Sequence, residues 1–229
     1  MADKIADVTS GSEICSNHVK TKVPETNIPH DCISNFCWES PLVKVKKADG
    51  SWKPCGNYRT LNAQTIPDKH SIRHIHDFTS YLHEKTVFTT LDLKCAYHQV
   101  PMHEEDKQTT AIITPFGLFQ FNFMTFGLRN AAQTMQSLMD NPLQELDFCF
   151  VYIDDPLIAS SSLEEHLDHL KQVFDRLRKF GSALNRDKCV FEVEHLSFLR
   201  HKINKHGITS LLEKVEAIAN FPRPKTVQD

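Results

Sequence analysis

Two adjacent carboxylates, Asp154 and Asp155, sit in the middle of the apolar run FCFVYIDDPLIAS. Burying a charge is unfavourable unless it is paired or holds a metal, and two like charges side by side also repel. A divalent cation at the tip of a strand–turn–strand would resolve both problems. A third acid, Asp92, closes another strand-like run, VFTTL. Adjacent residues of a regular strand point to opposite faces, so Asp154 and Asp155 share one cation well only if the chain turns at the pair. If the strand ending at Asp92 lies beside this hairpin, Asp92 and Asp154 face one volume and Asp155 approaches from the turn. Carboxylate oxygens, water and phosphate form the hard, octahedral ligand set that Mg²⁺ prefers. Two such ions about 4 Å apart activate an attacking oxygen and neutralise a leaving one in phosphoryl transfer. The same spacing describes a hairpin closed by aspartates as ordinary turn residues. Spacing alone does not separate the two.

Other side chains are candidates for the same site. Tyr97, close beyond Asp92, is an aromatic suited to contact a sugar or base, or equally a half-buried core tyrosine. Asn130 and Gln136 fall on a helical segment and, in isolation, read as surface residues. From Lys44 to Arg59 there are five basic residues and one acid, which is either a patch for a phosphate backbone or a solvated hairpin. Histidines pair closely in HSIRHIH and EEHLDHL, but no cysteine stands at a zinc-finger distance. They read as surface and half-buried residues rather than a zinc site.

The elements that must position these groups follow from periodicity and punctuation. LVKVKKADGSWK alternates around Asp49-Gly50, a turn pair that favours a hairpin. IRHIHDFTSYL spaces Ile72, Ile75, Phe78 and Leu82 as a helix would. TVFTTLDL and LFQFNFM read as strands, and RNAAQTMQSLMD as a helix stopped before Pro142. FCFVYI and LIAS then form a strand pair across the Asp154-Asp155 turn. A helix over 162–180 carries the apolar stripe Leu163, Leu167, Leu170, Val173, Phe174, Leu177 and Phe180, with Ser161 and Glu164 as a capping box and Gly181 past its end. Strands around CVFEV and LSFLRHKI follow, and LLEKVEAIANF is a last helix that stops at Pro222. The expected fold class is α+β, an antiparallel sheet covered on one face by helices.

The 229 residues are 40% hydrophobic and 24% charged, the balance of an ordinary globular chain. Neither a membrane-spanning apolar run nor a secretory signal is visible at the start. The seven scattered cysteines form no C-x-x-C pair and read as free thiols in a reducing compartment, so the expected location is cytoplasmic or nuclear. A net charge of -3 argues mildly against a dedicated nucleic-acid binder, the local basic patch notwithstanding.

Taken in order, SPLVKVKKADGSWKPCGNYRTLNAQTIPD, TTLDLKCAYHQVPM, TAIITPFGLFQFNFMTFGLRNAAQTMQSLMD, FVYIDDPLIASSSLEEHLDHL and LNRDKCVFEVEHLSFLRHKI resemble the reverse transcriptase of Ty3/gypsy-type long-terminal-repeat retrotransposon pol polyproteins. EKVEAIANFPRPKTV continues the resemblance. It implies the fingers and palm of a right-hand polymerase: a loose arm over residues 1–35, then a reverse transcriptase domain over 36–229, the palm core about 86–210. It further implies an RNA-directed DNA polymerase that extends a primer 3′-OH along an RNA or DNA template from deoxynucleoside triphosphates, using Mg²⁺ or Mn²⁺. By this resemblance Asp92, Asp154 and Asp155 are the catalytic, metal-binding acids. Lys47, Lys53, Tyr97, Phe126 and Gly127 would contact the nucleotide. Tyr152 would touch the primer terminus, and Arg200 and His201 belong to the segment that grips the primer.

Several positions depart from the family pattern. The family usually carries Arg at Lys53, Lys at Ala48, Asp at Asn57, Pro at Thr125, Phe at Met135, Gly at Arg200 and an apolar non-proline residue at Pro156. Proline has no N–H for the hairpin ladder, and Arg200 places a long side chain where glycine lets the backbone approach the primer. The family also continues past TVQD into a thumb, a connection and an RNase H domain, so the expectation is a truncated element copy whose thumb, RNase H and integrase regions are encoded nearby. The alternative is a catalytically inactive polymerase-fold remnant that binds nucleic acid or a protein partner.

Overall fold

A computed structural model describes residues 39–46, 50 and 52–210, apart from the side chains of Lys53 and Pro54. The expected arm over 1–35, Lys47, the Lys53 side chain and the expected helix before Pro222 lie outside the described residues. Among the described residues no helix is long and apolar enough to cross a membrane.

The alternating run around Gly50 forms the antiparallel hairpin β1 (Ser40–Lys46) and β2 (Trp52–Gly56), with Val45 opposite Lys53. Gly50 takes φ +81, a left-handed conformation that glycine adopts without strain. A short helix α1 (Arg59–Gln64) leads away from it. Then come β3 (Val87–Thr90), β4 (Ile112–Thr114) and β5 (Gly117–Phe119). The first sheet has the order β2-β1-β4-β5, with β4 parallel to β1. Helix α2 (Ala131–Leu143) precedes the hairpin β6 (Cys149–Tyr152) and β7 (Asp155–Ser160), and helix α3 (Leu163–Phe180) follows it. Four short strands finish the described chain: β8 (Val190–Val193), β9 (His195–Phe198), β10 (His201–Asn204) and β11 (Gly207–Ser210).

The central sheet has the order β6-β7-β3-β8 and is antiparallel throughout. On one face α2 and α3 bury Met135, Met139, Leu170, Val173 and Leu177 against Leu91, Val151 and Ile158. Each such side chain contributes roughly 1.5–3 kcal/mol by leaving water. The opposite face, expected to be open, is also covered. There Phe88, Phe150 and Leu157 pack against Ile75, Phe78 and Leu82 and against Leu196, Phe198 and Ile203 of the β9–β10–β11 sheet. The residues of β7 from Pro156 to Ser160 are all buried, and a short continuous apolar run is what a strand covered on both faces requires.

The structure differs from local expectation in four places. Helix α3 is capped by Ser162, whose side chain accepts from Glu165 N, one residue later than the expected Ser161–Glu164 box. Leu163, Leu167 and Phe180, counted in its apolar stripe, are exposed, while His166 is buried among its core residues. Helix α2 runs through Pro142 instead of stopping before it. The segment expected as a helix from Ile72 has no regular secondary structure until a 3₁₀ turn at Ile75–Phe78, followed by a single turn at Thr79–Leu82.

Candidate active site

In the β6–β7 hairpin Tyr152 lies opposite Asp155, which leaves Ile153 and Asp154 as a two-residue turn. The turn therefore falls one residue before the expected Asp154-Asp155 pair. Asp154 is at its apex and Asp155 is the first residue of β7. The turn is strained: Ile153 takes φ +56, a conformation that β-branched residues rarely adopt.

Asp92 lies just beyond β3, and its backbone is held by the loop before β8. Asn185 N donates to Asp92 O at 2.8 Å, Asp92 N donates to Cys189 Sγ at 3.4 Å, and Leu93 bridges Leu184. Lys188 Nζ lies 3.6 Å from Asp92 Oδ2. Burial raises the Asp154 pKa above the usual carboxylate range; Asp92 adds to the rise, while Asp154's own backbone N–H and Lys188 oppose it. Burial, then Asp154, then Asp92 push Asp155 up to about 6, again against Lys188. The three acids thus share one electrostatic neighbourhood, in which an added cation relieves both the desolvation and the repulsion.

Among the described residues no three His, Cys, Asp or Glu side chains gather closely enough to hold an ion by themselves. Mg²⁺ is commonly held by one or two carboxylates together with substrate phosphates and water, not by an all-protein cage. The hard oxygen donors of these aspartates fit that mode.

Tyr97 occupies a 3₁₀ turn (Ala96–Gln99) entered through Cys95 at φ +51. Its ring meets Phe126 edge-on at 4.8 Å. Burial, then Asp154, Tyr152 and Asp155, raise the pKa of its hydroxyl, which places Tyr97 beside the acids. Gln99 anchors the turn: its Nε2 donates to Lys94 O and Ala183 O, and its Oε1 accepts from Ala183 N.

Gly127, at φ +94, is tied to α1 by Asn62, whose Nδ2 donates to Gly127 O at 2.7 Å and whose Oδ1 accepts from Arg129 N at 2.9 Å. Tyr58 is buried against Gly56 of β2, with its hydroxyl donating to Thr110 O. A Cβ on Gly56 would stand 2.3 Å from the Tyr58 ring, so only glycine fits there. Neither Asn62 nor Tyr58 stands out in the sequence, because their partners are far along the chain.

Tyr152, Arg200 and His201 line one cleft of about 590 Å³ together with Arg73 and His74. Leu199 and Arg200 form the two-residue turn between β9 and β10, at φ +48 and +62. Two consecutive left-handed residues are the geometry that Asn-Gly turns serve. A glycine at position 200 therefore has a conformational reason, and Arg200 occupies its place under strain. At Pro156 the missing N–H does not face the hairpin partner β6. Its carbonyl accepts from Leu91 N at 2.9 Å, so its nitrogen also faces β3. Opposed residues of an antiparallel pair exchange two bonds, and here the one back to Leu91 O has no donor. Gln136, expected at the surface, is fully buried. Asn130 bridges to the segment that follows α1, its Nδ2 donating to Ile66 O and its Oδ1 accepting from Asp68 N.

An antiparallel sheet that carries acids at one end, backed by two helices and joined to a separate hairpin sheet, is the palm and fingers of a right-hand polymerase. The family described as reverse transcriptase (RNA-dependent DNA polymerase) matches residues 45–203. The chain belongs to that family, in the branch of Ty3/gypsy-type retrotransposons. It is 39% identical over 198 residues to the Retrovirus-related Pol polyprotein from transposon 297 of Drosophila melanogaster, covering 83% of this chain and 19% of that protein. The corresponding polyprotein from transposon gypsy of the same organism is 35% identical over 173 residues, 75% of this chain and 17% of that protein. The chain thus spans about a fifth of the length of these relatives. The fold matches the foamy viral protease-reverse transcriptase in complex with double-stranded DNA, with a TM-score of 0.75 at 22% identity, over 83% of this chain and 34% of that one. The same viral protein in complex with an RNA/DNA hybrid gives a TM-score of 0.71 at 22% identity, over 83% of this chain and 26% of that one.

Proposed function

We propose that this chain carries the nucleotidyl-transfer site of an RNA-directed DNA polymerase, which extends a primer on an RNA or DNA template from deoxynucleoside triphosphates. The observation that carries the reading is the placement of Asp92, Asp154 and Asp155 at the end of one sheet, where burial raises the carboxylate pKa values of Asp154 and Asp155 and Asp92 adds to both rises. Asp92 and Asp154 would hold Mg²⁺, or Mn²⁺ in its place, with Asp155 as the third acid. When bound, the metal lowers the pKa of the primer 3′-OH and neutralises charge on the triphosphate. The protein's own part is positioning and electrostatics. Tyr97, braced against Phe126, offers a ring to the nucleotide sugar. The Gly127 loop, stitched to α1 by Asn62, lies beside it, and Tyr152 with Arg200 and His201 faces the primer end. Lys47 and Lys53 would meet the incoming phosphates. A cytoplasmic or nuclear location suits a chain with this work.

The test is Mg²⁺-dependent primer extension. Wild-type protein should incorporate nucleotides, and Asp154→Asn and Asp155→Asn should each lose at least about a hundredfold. Folded wild-type protein that incorporates no more than these variants would sink the proposal. A second reading, a binding-only remnant, draws on the donor lost at Pro156 beside Asp92. It predicts RNA–DNA binding that weakens steeply with salt, without turnover.

A further inference from the structure

The strained turn that carries Asp154 does not hold itself. One side chain, Gln136 of α2, contacts the backbone of the strand that enters it and of its first residue. Gln136 Oε1 accepts from Ile153 N at 2.8 Å, and Gln136 Nε2 donates to Val151 O at 3.2 Å. The second hydrogen of that amide goes to Asp140 Oδ1 at 3.0 Å, one helical turn along. This uses both donors of the amide and gives its oxygen a donor partner. The reversed amide would face N–H with NH₂ and two oxygens with an oxygen, so chemistry fixes its orientation. Gln136 is fully buried and Asp140 is 8% exposed. Asp140 in turn meets His70 Nε2 through Oδ2 at 2.9 Å, with Arg73 Nε 3.9 Å from Oδ1.

We infer that Gln136 is the positioning residue that fixes the direction of the Asp154 carboxylate, and that Asp140 locks Gln136 in place. This deepens the polymerase reading and rests on it. Ile153 has no glycine-like freedom at φ +56, so it stays there only while its surroundings over-determine it. The bond from Ile153 N to Gln136 supplies that constraint one residue before Asp154. Helix α2, packed on the sheet through Met135 and Met139, provides a rigid mount. A displacement of the carboxylate by an ångström is enough to lower turnover about a hundredfold.

The test combines an activity-independent readout with kinetics. Gln136→Met, similar in volume and apolar, removes all three bonds. Hydrogen exchange should then be at least about tenfold faster at the Ile153 amide, while Ile158 and Val173 exchange as in wild type. In primer extension kcat should fall about a hundredfold with the nucleotide KM held within about threefold. Gln136→Glu keeps the acceptor for Ile153 but sets a carboxylate against Asp140; adding Asp140→Asn restores a donor there. The double variant should regain at least about tenfold of the kcat lost by Gln136→Glu alone. Unchanged exchange at Ile153, or faster exchange spread evenly over the sheet, would overturn the positioning role, and no rescue would remove Asp140 from it. A wild-type protein that extends no primer would defeat the polymerase reading, while exchange at Ile153 would still decide whether Gln136 holds the turn.

Discussion

Six described residues other than glycine adopt positive φ, and two of them stand beside the candidate site. Ile153, Cys95, Leu199 and Arg200 all adopt positive φ, and the first two lie in the turns that carry Asp154 and Tyr97. Left-handed backbone disfavours a side chain by roughly 1–2 kcal/mol, and such strain persists where neighbours enforce it. Ile153 has Gln136 to enforce it. Arg200 is different, because its place in a two-residue turn is one that glycine fills without strain. Arg200→Gly should therefore stabilise the chain by about 1 kcal/mol after allowing for glycine's looser unfolded state, raising Tm by about 2–4 °C. Arg200→Lys, with the same strain and charge, should leave Tm unchanged. Thermal melts of the three proteins decide the matter, and an Arg200→Gly variant no more stable than wild type would show that the turn is not where the strain resides.

At the scale of elements, the central sheet joins strands that are far apart in the chain, in the order β6-β7-β3-β8. β3 reaches Asp92 only two residues after its ladder with β7 stops at Thr90–Leu157. Pro156 withholds the next bond, to Leu91 O. Pro156→Val should return it. Satisfying a buried carbonyl stabilises by roughly 1–3 kcal/mol, offset by about 0.4–1 kcal/mol for the looser unfolded chain, leaving a gain of about 1 kcal/mol. Urea melts would measure it, and an unchanged midpoint would mean that another donor already reaches Leu91 O. Elements whose period and punctuation agree are readable from the sequence: the β1–β2 hairpin around Gly50, α3 with Gly181 behind it, and the strand that runs into the acids. Where distant partners decide, local pattern fails. Asp68 and His70, in a segment without regular secondary structure, are held by Asn130 and Asp140, more than sixty residues away. Gln136 and Asp140 stand within the stripe of Met135, Met139 and Leu143, and polar residues at core positions were the available signal. Their partners Val151 and Ile153, 15 and 17 residues on from Gln136, supply the reason only in three dimensions.

Taken whole, the molecule places titratable groups of opposite sign at two ends of the same sheet, and its acid response follows from their sum. Between the sheet and α3, His166 is 0% exposed, bonded to Thr89 Oγ1 and to Ser160 Oγ, each at 2.7 Å. Ser160 Oγ also meets His169 Nδ1 at 2.8 Å, and His169 stacks on Phe148. Burial, then the neighbouring His169, lower the His166 pKa to about 4, with Glu165 opposing, and burial lowers that of His169 as well. A depressed histidine favours the folded state fully above the unfolded pKa of about 6.5. That stability is lost as pH falls from about 6.5 to 4, at most about 3 kcal/mol for His166. Asp155 has the reverse sign. Its pKa, raised to about 6, means that its charged form opposes folding above that pH, and protonation relieves the penalty as pH falls towards 4. Discounted for partial exposure, the relief is about 1–2 kcal/mol. The two groups partly cancel in the wild-type protein. Asp155→Asn, measured by urea unfolding in EDTA, should therefore be about 1–2 kcal/mol more stable than wild type near pH 7. By about pH 4.5 that advantage should have largely disappeared, so the variant loses stability more steeply on acidification. Parallel pH profiles for the two proteins, or a variant less stable at neutral pH, would show that Asp155 is not held against repulsion, and with it would go the electrostatic case for a cation at this turn.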